Sequence, residues 1–379
     1  MENKLPETIY DVHTPCLLVD LDRVKANCQR MIDRCMTLGV ELRPHMKTHK
    51  TIEGAILMTG GNKRKISVST LAEAEFYADN GFDDILFAHP FITQRLDRCV
   101  ALANRLEAFH VMIDSSYAIE SLTQNPLSSG KKWSVLLEVD CGYGRSGVPW
   151  NDDEAVKLVK MAASSSSIIF QGLYTHCGDS YTSCTQDDVK LQQVQDTTTK
   201  RLLDLKDRIR REGIECKTVG CGSTPSCSKP RKDMSALTEF HPGNYIFYDV
   251  MQMTIGSCAM EDIAVKIATS VVSHKASLNM LLTDSGFASL GADGANYINS
   301  QPSGFTVFPA HPELKLIGMS QELGKVQAID GKLDLDKYPH GTRLFIHPWH
   351  SCDAAMMHPY FYVHSGEQIV GIWKPVRGW

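Results

Sequence analysis

No stretch of eighteen or more apolar residues occurs in the 379-residue sequence, so nothing in it reads as a membrane-spanning helix. A basic balance is missing too. Against 44 Asp and Glu stand 39 Lys and Arg, and the net charge of −5 argues against a general nucleic-acid binder. The opening residues, Met1-Glu2-Asn3-Lys4-Leu5-Pro6-Glu7, lack the apolar core of a secretory signal. With no signal, the twelve cysteines read as reduced thiols of a cytoplasmic protein rather than a disulfide framework. Cys28 and Cys35, on one helix face, read as small buried hydrophobes. Neither a G-x-x-x-x-G-K-[ST] loop nor a G-x-G-x-x-G turn occurs in the right context, so a phosphorylated cofactor is expected before a nucleotide. There is no internal repeat, and no low-complexity linker beyond the serines at 164–167.

What is present is an alternation of strand and helix patterns. Val24, Cys28, Met31, Ile32, Cys35 and Leu38 recur at helical spacing, and Gly39 stops that helix. Strands are predicted at 40–45, 66–70, 84–88, 108–113, 134–139, 168–175, 216–220 and 237–242. Helices are predicted at 71–80, 93–104, 151–163 and about 186–212. Eight strands alternating with helices predict a (β/α)8 TIM barrel over residues 20–255. Beyond about 255 the apolar runs shorten: 263–267, 280–282, 305–308, 344–346 and 360–363. Turn residues separate them, and helical periodicity is absent. That predicts a C-terminal antiparallel β domain over 256–379, with residues 1–19 joining it in space.

One stretch concentrates chemistry: Leu42-Arg43-Pro44-His45-Met46-Lys47-Thr48-His49-Lys50-Thr51. If the chain is extended here, Arg43, His45 and Lys47 share a face, and neighbouring cations would make the lysine a usable nucleophile. Further polar motifs follow predicted strands, where barrel active sites are built. They are Asp140-Cys141-Gly142-Tyr143-Gly144-Arg145-Ser146-Gly147, Tyr174-Thr175-His176, Gly222-Ser223-Thr224-Pro225-Ser226 and His241-Pro242-Gly243-Asn244-Tyr245. The last two follow strands seven and eight, where barrels often hold phosphate through backbone N–H groups and hydroxyls.

The Arg-Pro-His-Met-Lys-Thr-His-Lys-Thr string resembles the pyridoxal-phosphate lysine motif of the D-serine dehydratase and D-threonine aldolase family, which has fold type III, the alanine racemase-like barrel. The resemblance covers nearly the whole chain, including the terminus Trp373-Lys374-Pro375-Val376-Arg377-Gly378-Trp379. It implies that Lys47 holds pyridoxal 5'-phosphate through its amine. It also implies that Arg145 approaches the cofactor's phenolic oxygen, His176 stacks on its ring and Tyr174 lies near the ring nitrogen. Ser223, Thr224, Gly243, Asn244 and Tyr245 are implied for the phosphate. An uncharged partner at the ring nitrogen weakens the electron sink, so another group must help.

That group is expected in Pro348-Trp349-His350-Ser351-Cys352. On an extended chain His350 and Cys352 share a face and suit Zn2+, and the family holds zinc with such a His-x-Cys pair. Asp353 falls one residue too late for the aldolase's His-Cys-Asp pattern. Trp349 replaces the asparagine or histidine expected there, and His347 reads as a strand-end histidine. The resemblance therefore implies a D-amino acid lyase that forms pyruvate and ammonia from D-serine. A retro-aldol lyase on β-hydroxy-D-amino acids is the first alternative. A non-catalytic cofactor carrier is the second, although the β region and the His-x-Cys pair are superfluous in a carrier. A homodimer is implied, with no nucleic-acid or membrane partner.

Overall fold

The computed structural model describes residues 5–128, 130–181, 188–297 and 302–379. Its chain divides into two compact units. One comprises residues 28–245, 255–257 and 376–379; the other comprises 1–27, 246–254 and 258–375.

The first unit contains the barrel. Its strands are Glu41–Leu42, Ile66–Val68, Asp84–Pro90, Ala108–Ile113, Trp133–Asp140, Ile168–His176, Thr218–Gly222 and Glu239–Phe240. From Ile66–Val68 to Glu239–Phe240 each pairs in parallel with its sequence neighbour, and Glu239–Phe240 pairs in parallel with Glu41–Leu42. The circuit closes at a parallel bridge between His45 and Ser67, where the Ser67 N–H donates to the Pro44 carbonyl at 3.0 Å. Each strand meets the place its apolar run predicts. Buried on both sides by helices and barrel interior, the strands read as near-continuous runs such as Val135, Leu136, Leu137 and Val139.

The helices start where caps predict. Thr70 Oγ1 accepts the Glu73 N–H at 3.2 Å and the Glu73 carboxylate accepts the Thr70 N–H at 2.9 Å. This capping box begins helix Leu71–Asp79. Asp152 caps Asp153–Ser164, and the long helix runs from Asp188 to Arg211. Ile52–Met58 and Ser116–Gln124 are further helices. A buried Arg43 lies within the barrel. Its Nη1 is 2.6 Å from Asp84 and its Nε 3.0 Å from Glu239, so both charges it meets are compensated.

The second unit is a sheet in the order Leu314–Met319, Gly324–Ala328, Met280–Thr283, Val265–Lys275, Cys16–Asp20, Phe361–Ser365 and Gln368–Trp373. Arg343–Ile346 pairs with Val265–Lys275 as well. The sheet is mixed rather than purely antiparallel. Cys16–Asp20 runs antiparallel to Val265–Lys275 but parallel to Phe361–Ser365, because the chain's first strand enters between two strands that come from distant turns. The 305–308 run forms no strand, only a bridge between Val307 and His347. Two short helices, Phe287–Leu290 and Ser351–Met356, interrupt the region where helical periodicity was not legible. Every described cysteine is a free thiol, and all but Cys258 and Cys352 are buried.

Candidate active site

Lys47 does not extend from a strand beside Arg43. The strand ends at Leu42, and Lys47 sits in a single 3-10 turn, Met46–Thr48. His45 caps the turn through Nδ1, which accepts the Lys47 N–H at 3.3 Å. The three-cation face is therefore corrected. Pro44 and the capping histidine turn the backbone out of the period-2 pattern, and Arg43 is spent on Asp84 and Glu239. His45 is neutral, since burial and then the charge of Lys47 hold it well below its ordinary range. Lys47 remains half-buried.

Its neighbours are set on the C-terminal ends of strands. His176 ends Ile168–His176, and burial, then Lys47 and Arg145, push its pKa down to about 3. Arg145 also bears on Tyr174, whose phenol is pushed up, chiefly by burial. Tyr174 packs against the His241 ring with centroids 4.4 Å apart. Arg145 itself lies in an exposed turn, and with Glu138, Tyr143 and His176 it lines a small cleft. A wider groove along the outer helices is lined by Lys157, Lys160, Arg208 and Arg211. These cations are accompanied by Asp153 and Glu212, which form ion pairs with Arg208 and Lys160.

The two glycine-bearing loops are knitted together. Ser223 Oγ accepts the Ser226 N–H at 3.3 Å and so caps helix Thr224–Ser228. The Ser180 hydroxyl donates to Ser223 Oγ at 2.9 Å, and the Asn244 N–H donates to Thr224 Oγ1 at 3.1 Å. Each accepting hydroxyl keeps its own O–H as a donor for an oxyanion. Gly243 has no room for a side chain, because a Cβ would lie 2.9 Å from the His45 carbonyl oxygen. At Gly222 a Cβ would fall 2.7 Å from the His241 Cβ. Asn244 and Tyr245 are buried beside them. These features fit a phosphorylated pyridine aldehyde. They comprise a primary amine, a neutral imidazole, a guanidinium beside a buried carboxylate, and a loop pair that offers hydroxyls. The Oε2 of Glu138, buried and without a hydrogen-bond partner, adds an acceptor inside the same cleft.

The other candidate pair belongs to the second unit. His350 and Cys352 are not on an extended chain. His350 is extended, but Cys352 lies in the first turn of helix Ser351–Met356, so the alternation argument is corrected. The start of that turn, not the pleat, brings the imidazole and the thiol into hydrogen-bonding contact. The carboxylate of Asp249 takes the Ser351 N–H at 2.8 Å and anchors the turn. Burial disfavours the charged form of His350, but Cys352 and then Asp293 outweigh it and raise its pKa well above normal. Imidazole and thiolate fit a borderline divalent cation. No cluster of three such ligands exists among the described residues, so water would complete the shell. His347 is committed elsewhere, with Nδ1 2.7 Å from the Val265 carbonyl oxygen.

Sequence reasoning gave no role to Glu138, Asp249 and Asp293, nor to His241, which it met only as the start of a loop motif. A signal existed for Glu138, an acid in the apolar strand Trp133–Asp140. For Asp293 none existed, because its partner is 57 residues away.

Two family models match the chain: "Alanine racemase, N-terminal domain" over residues 19–250 and "Putative serine dehydratase domain" over 264–364. The chain is 35% identical to the D-serine dehydratase of Dictyostelium discoideum, covering 100% of both proteins. It is 29% identical to the D-threo-3-hydroxyaspartate dehydratase of Delftia sp., covering 99% of this chain and 100% of that one. A solved cysteine-to-alanine mutant of a D-threo-3-hydroxyaspartate dehydratase, in the metal-free form, matches with TM-score 0.90 at 28% identity. That match covers 98% of this chain and 100% of the other. No helix among the described residues is long and apolar enough to cross a membrane.

Proposed function

Because the chain belongs to the D-serine dehydratase family, of the eukaryotic type with an alanine racemase-like barrel, we propose that it is a lyase converting D-serine to pyruvate and ammonia. The end-to-end similarity to a D-serine dehydratase carries this reading. Pyridoxal 5'-phosphate is assigned to Lys47, with Ser223, Thr224, Gly243, Asn244 and Tyr245 for its phosphate. Arg145, Tyr174 and His176 are assigned to its ring, and Zn2+ to His350 and Cys352. When bound, the cofactor supplies an electron sink for the α-carbon and the metal a Lewis acid for the β-hydroxyl.

The protein's own groups have definite tasks on this reading. The freed amine of Lys47 takes the α-proton. Neutral His176 offers a flat face without adding charge, since its pKa of about 3 leaves it unprotonated at neutral pH. Tyr174 stays a neutral phenol. With a neutral Tyr174 as the ring-nitrogen partner the sink would be weaker, and a metal held by His350 and Cys352 would supply the Lewis acidity that compensates. The hydroxyl leaves as water, and hydrolysis of the released enamine consumes one water, so D-serine is balanced by pyruvate and ammonia.

A coupled assay for pyruvate tests this directly. Purified protein with D-serine is expected to form pyruvate, a chelator to suppress it, and added zinc to restore it. Glycine from D-threonine without pyruvate from D-serine would instead establish the aldolase reading, and turnover of neither would leave the carrier. We also propose a homodimer, two-fold dimers being the commonest oligomers. Light scattering at assay concentration is expected to give twice the 42.1 kDa chain mass, and a fully active monomer would overturn this.

A further inference from the structure

The loop Gly291-Ala292-Asp293-Gly294 is built against the residues that flank the His350–Cys352 pair. Both glycines have positive φ, +77° at Gly291 and +99° at Gly294. Neither position has room for a side chain. A Cβ on Gly291 would lie 2.1 Å from Asp353 Oδ2, and one on Gly294 would lie 2.2 Å from the Trp349 ring. Thus Asp353 and Trp349, the two departures from the expected metal motif, are the seats on which this loop rests.

Hydrogen bonds run through the loop in one direction. Asp353 Oδ2 accepts the Asp293 N–H at 2.9 Å. Asp293 Oδ2 is 2.6 Å from His350 Nδ1. An imidazole that donates Nδ1–H to a carboxylate has its Nε2 lone pair available as a ligand and its ring plane held. Side-chain exposure is 25% for His350 and 55% for Asp293. Pairs this exposed contribute little to stability, so the contact bears on orientation rather than folding.

We propose that Asp293 is a positioning residue of the metal pair, fixing the tautomer and plane of His350, and that Asp353 is its anchor rather than a ligand. This rests on the reading that His350 and Cys352 bind the metal. Aspartate at 353 is then neither a bystander nor a relic of the aldolase pattern. Its carboxylate shapes the loop that delivers the second carboxylate.

The test is a titration of metal-stripped full-length protein with zinc alone, against a chromophoric chelator. Asp293→Ala is expected to weaken zinc about 10- to 100-fold, the usual loss when a ligand's carboxylate partner is removed. Asp353→Ala should weaken zinc as well. Asp353→Asn should bind as wild type does, because its amide oxygen still accepts the Asp293 N–H. Cys352→Ala, the reference, should lose the site. If Asp293→Ala binds zinc as tightly as wild type while Cys352→Ala does not, the inference falls and the metal reading stands. If Cys352→Ala binds as tightly as wild type, the metal reading falls first. Equal losses in Asp353→Asn and Asp353→Ala would overturn the anchoring role. Should Asp293→Ala fail to fold, Asp293→Asn replaces it: the same shape with a weaker acceptor. A smaller loss of the same sign is expected there, and unchanged affinity overturns the proposal.

Discussion

Lys47→Ala is expected to purify colourless, to retain no borohydride-fixable cofactor, and to turn over D-serine at least ~10³-fold more slowly than wild type. On the proposed reading two losses would coincide in this one substitution, the covalent attachment point and the base for the α-proton. The 3-10 turn itself should survive, since its cap is the His45 ring bonded to a backbone N–H that alanine keeps. Lys50→Ala is the informative control. Lys50 lies in the same motif, but its ammonium faces Glu73 at 3.5 Å and its carbonyl accepts the Val376 N–H at 2.9 Å. Its φ is +54°, but lysine and alanine carry the same Cβ, so the substitution adds no backbone strain and costs only the cation beside the buried Glu73 carboxylate. That variant is expected to melt earlier yet stay yellow and active. Absorbance and borohydride reduction, followed by peptide mass analysis, decide the matter. If Lys50→Ala alone abolished the adduct, the assignment of Lys47 would be wrong.

The barrel was legible because most of its strands are buried on both faces and each long helix has one apolar stripe. Burial of Val135, Leu137 and Val139, or of Leu202, Leu205 and Ile209, is written into the spacing of the residues themselves. The site was legible only as far as local order reaches. The segments carrying Arg145, His176, Ser223 and Asn244 do lie at the ends of barrel strands, as the rule that barrel sites follow strand ends predicts. Face arguments failed twice, at Lys47 and at Cys352, for one reason: each lies just past a strand or an extended residue, where the first turn of a helix replaces the two-residue period. What the sequence did not disclose is long-range. Arg43 is neutralised by Asp84 and Glu239, and the carbonyl of Lys50 is engaged by Val376. His350 meets an aspartate 57 residues earlier. Such pairings leave no periodicity, because the chain between the partners is free to vary.

Cys352→Ala is expected to stay yellow while losing zinc and at least ~10²-fold in pyruvate formation. The two properties separate because the residues assigned to the cofactor lie in the barrel unit, whereas Cys352 lies in helix Ser351–Met356 of the β unit. That helix start should persist in the variant. Asp249 holds it through the Ser351 N–H and hydroxyl, at 2.8 and 3.1 Å, and neither bond involves the thiol. On the proposed ligation by two residues, where a catalytic zinc commonly has three, affinity should be modest and chelation of the wild type reversible. Removal of the thiolate would leave His350 as the sole proposed ligand, so added zinc should restore activity to chelated wild type but not to the variant. Visible absorbance, zinc content and pyruvate release, measured on one preparation, read the three quantities together. Loss of colour would place the thiol in cofactor binding. Undiminished pyruvate release would remove the metal from dehydration. Glycine release from D-threonine by the variant, with no pyruvate from D-serine in wild type, would replace elimination by carbon–carbon cleavage.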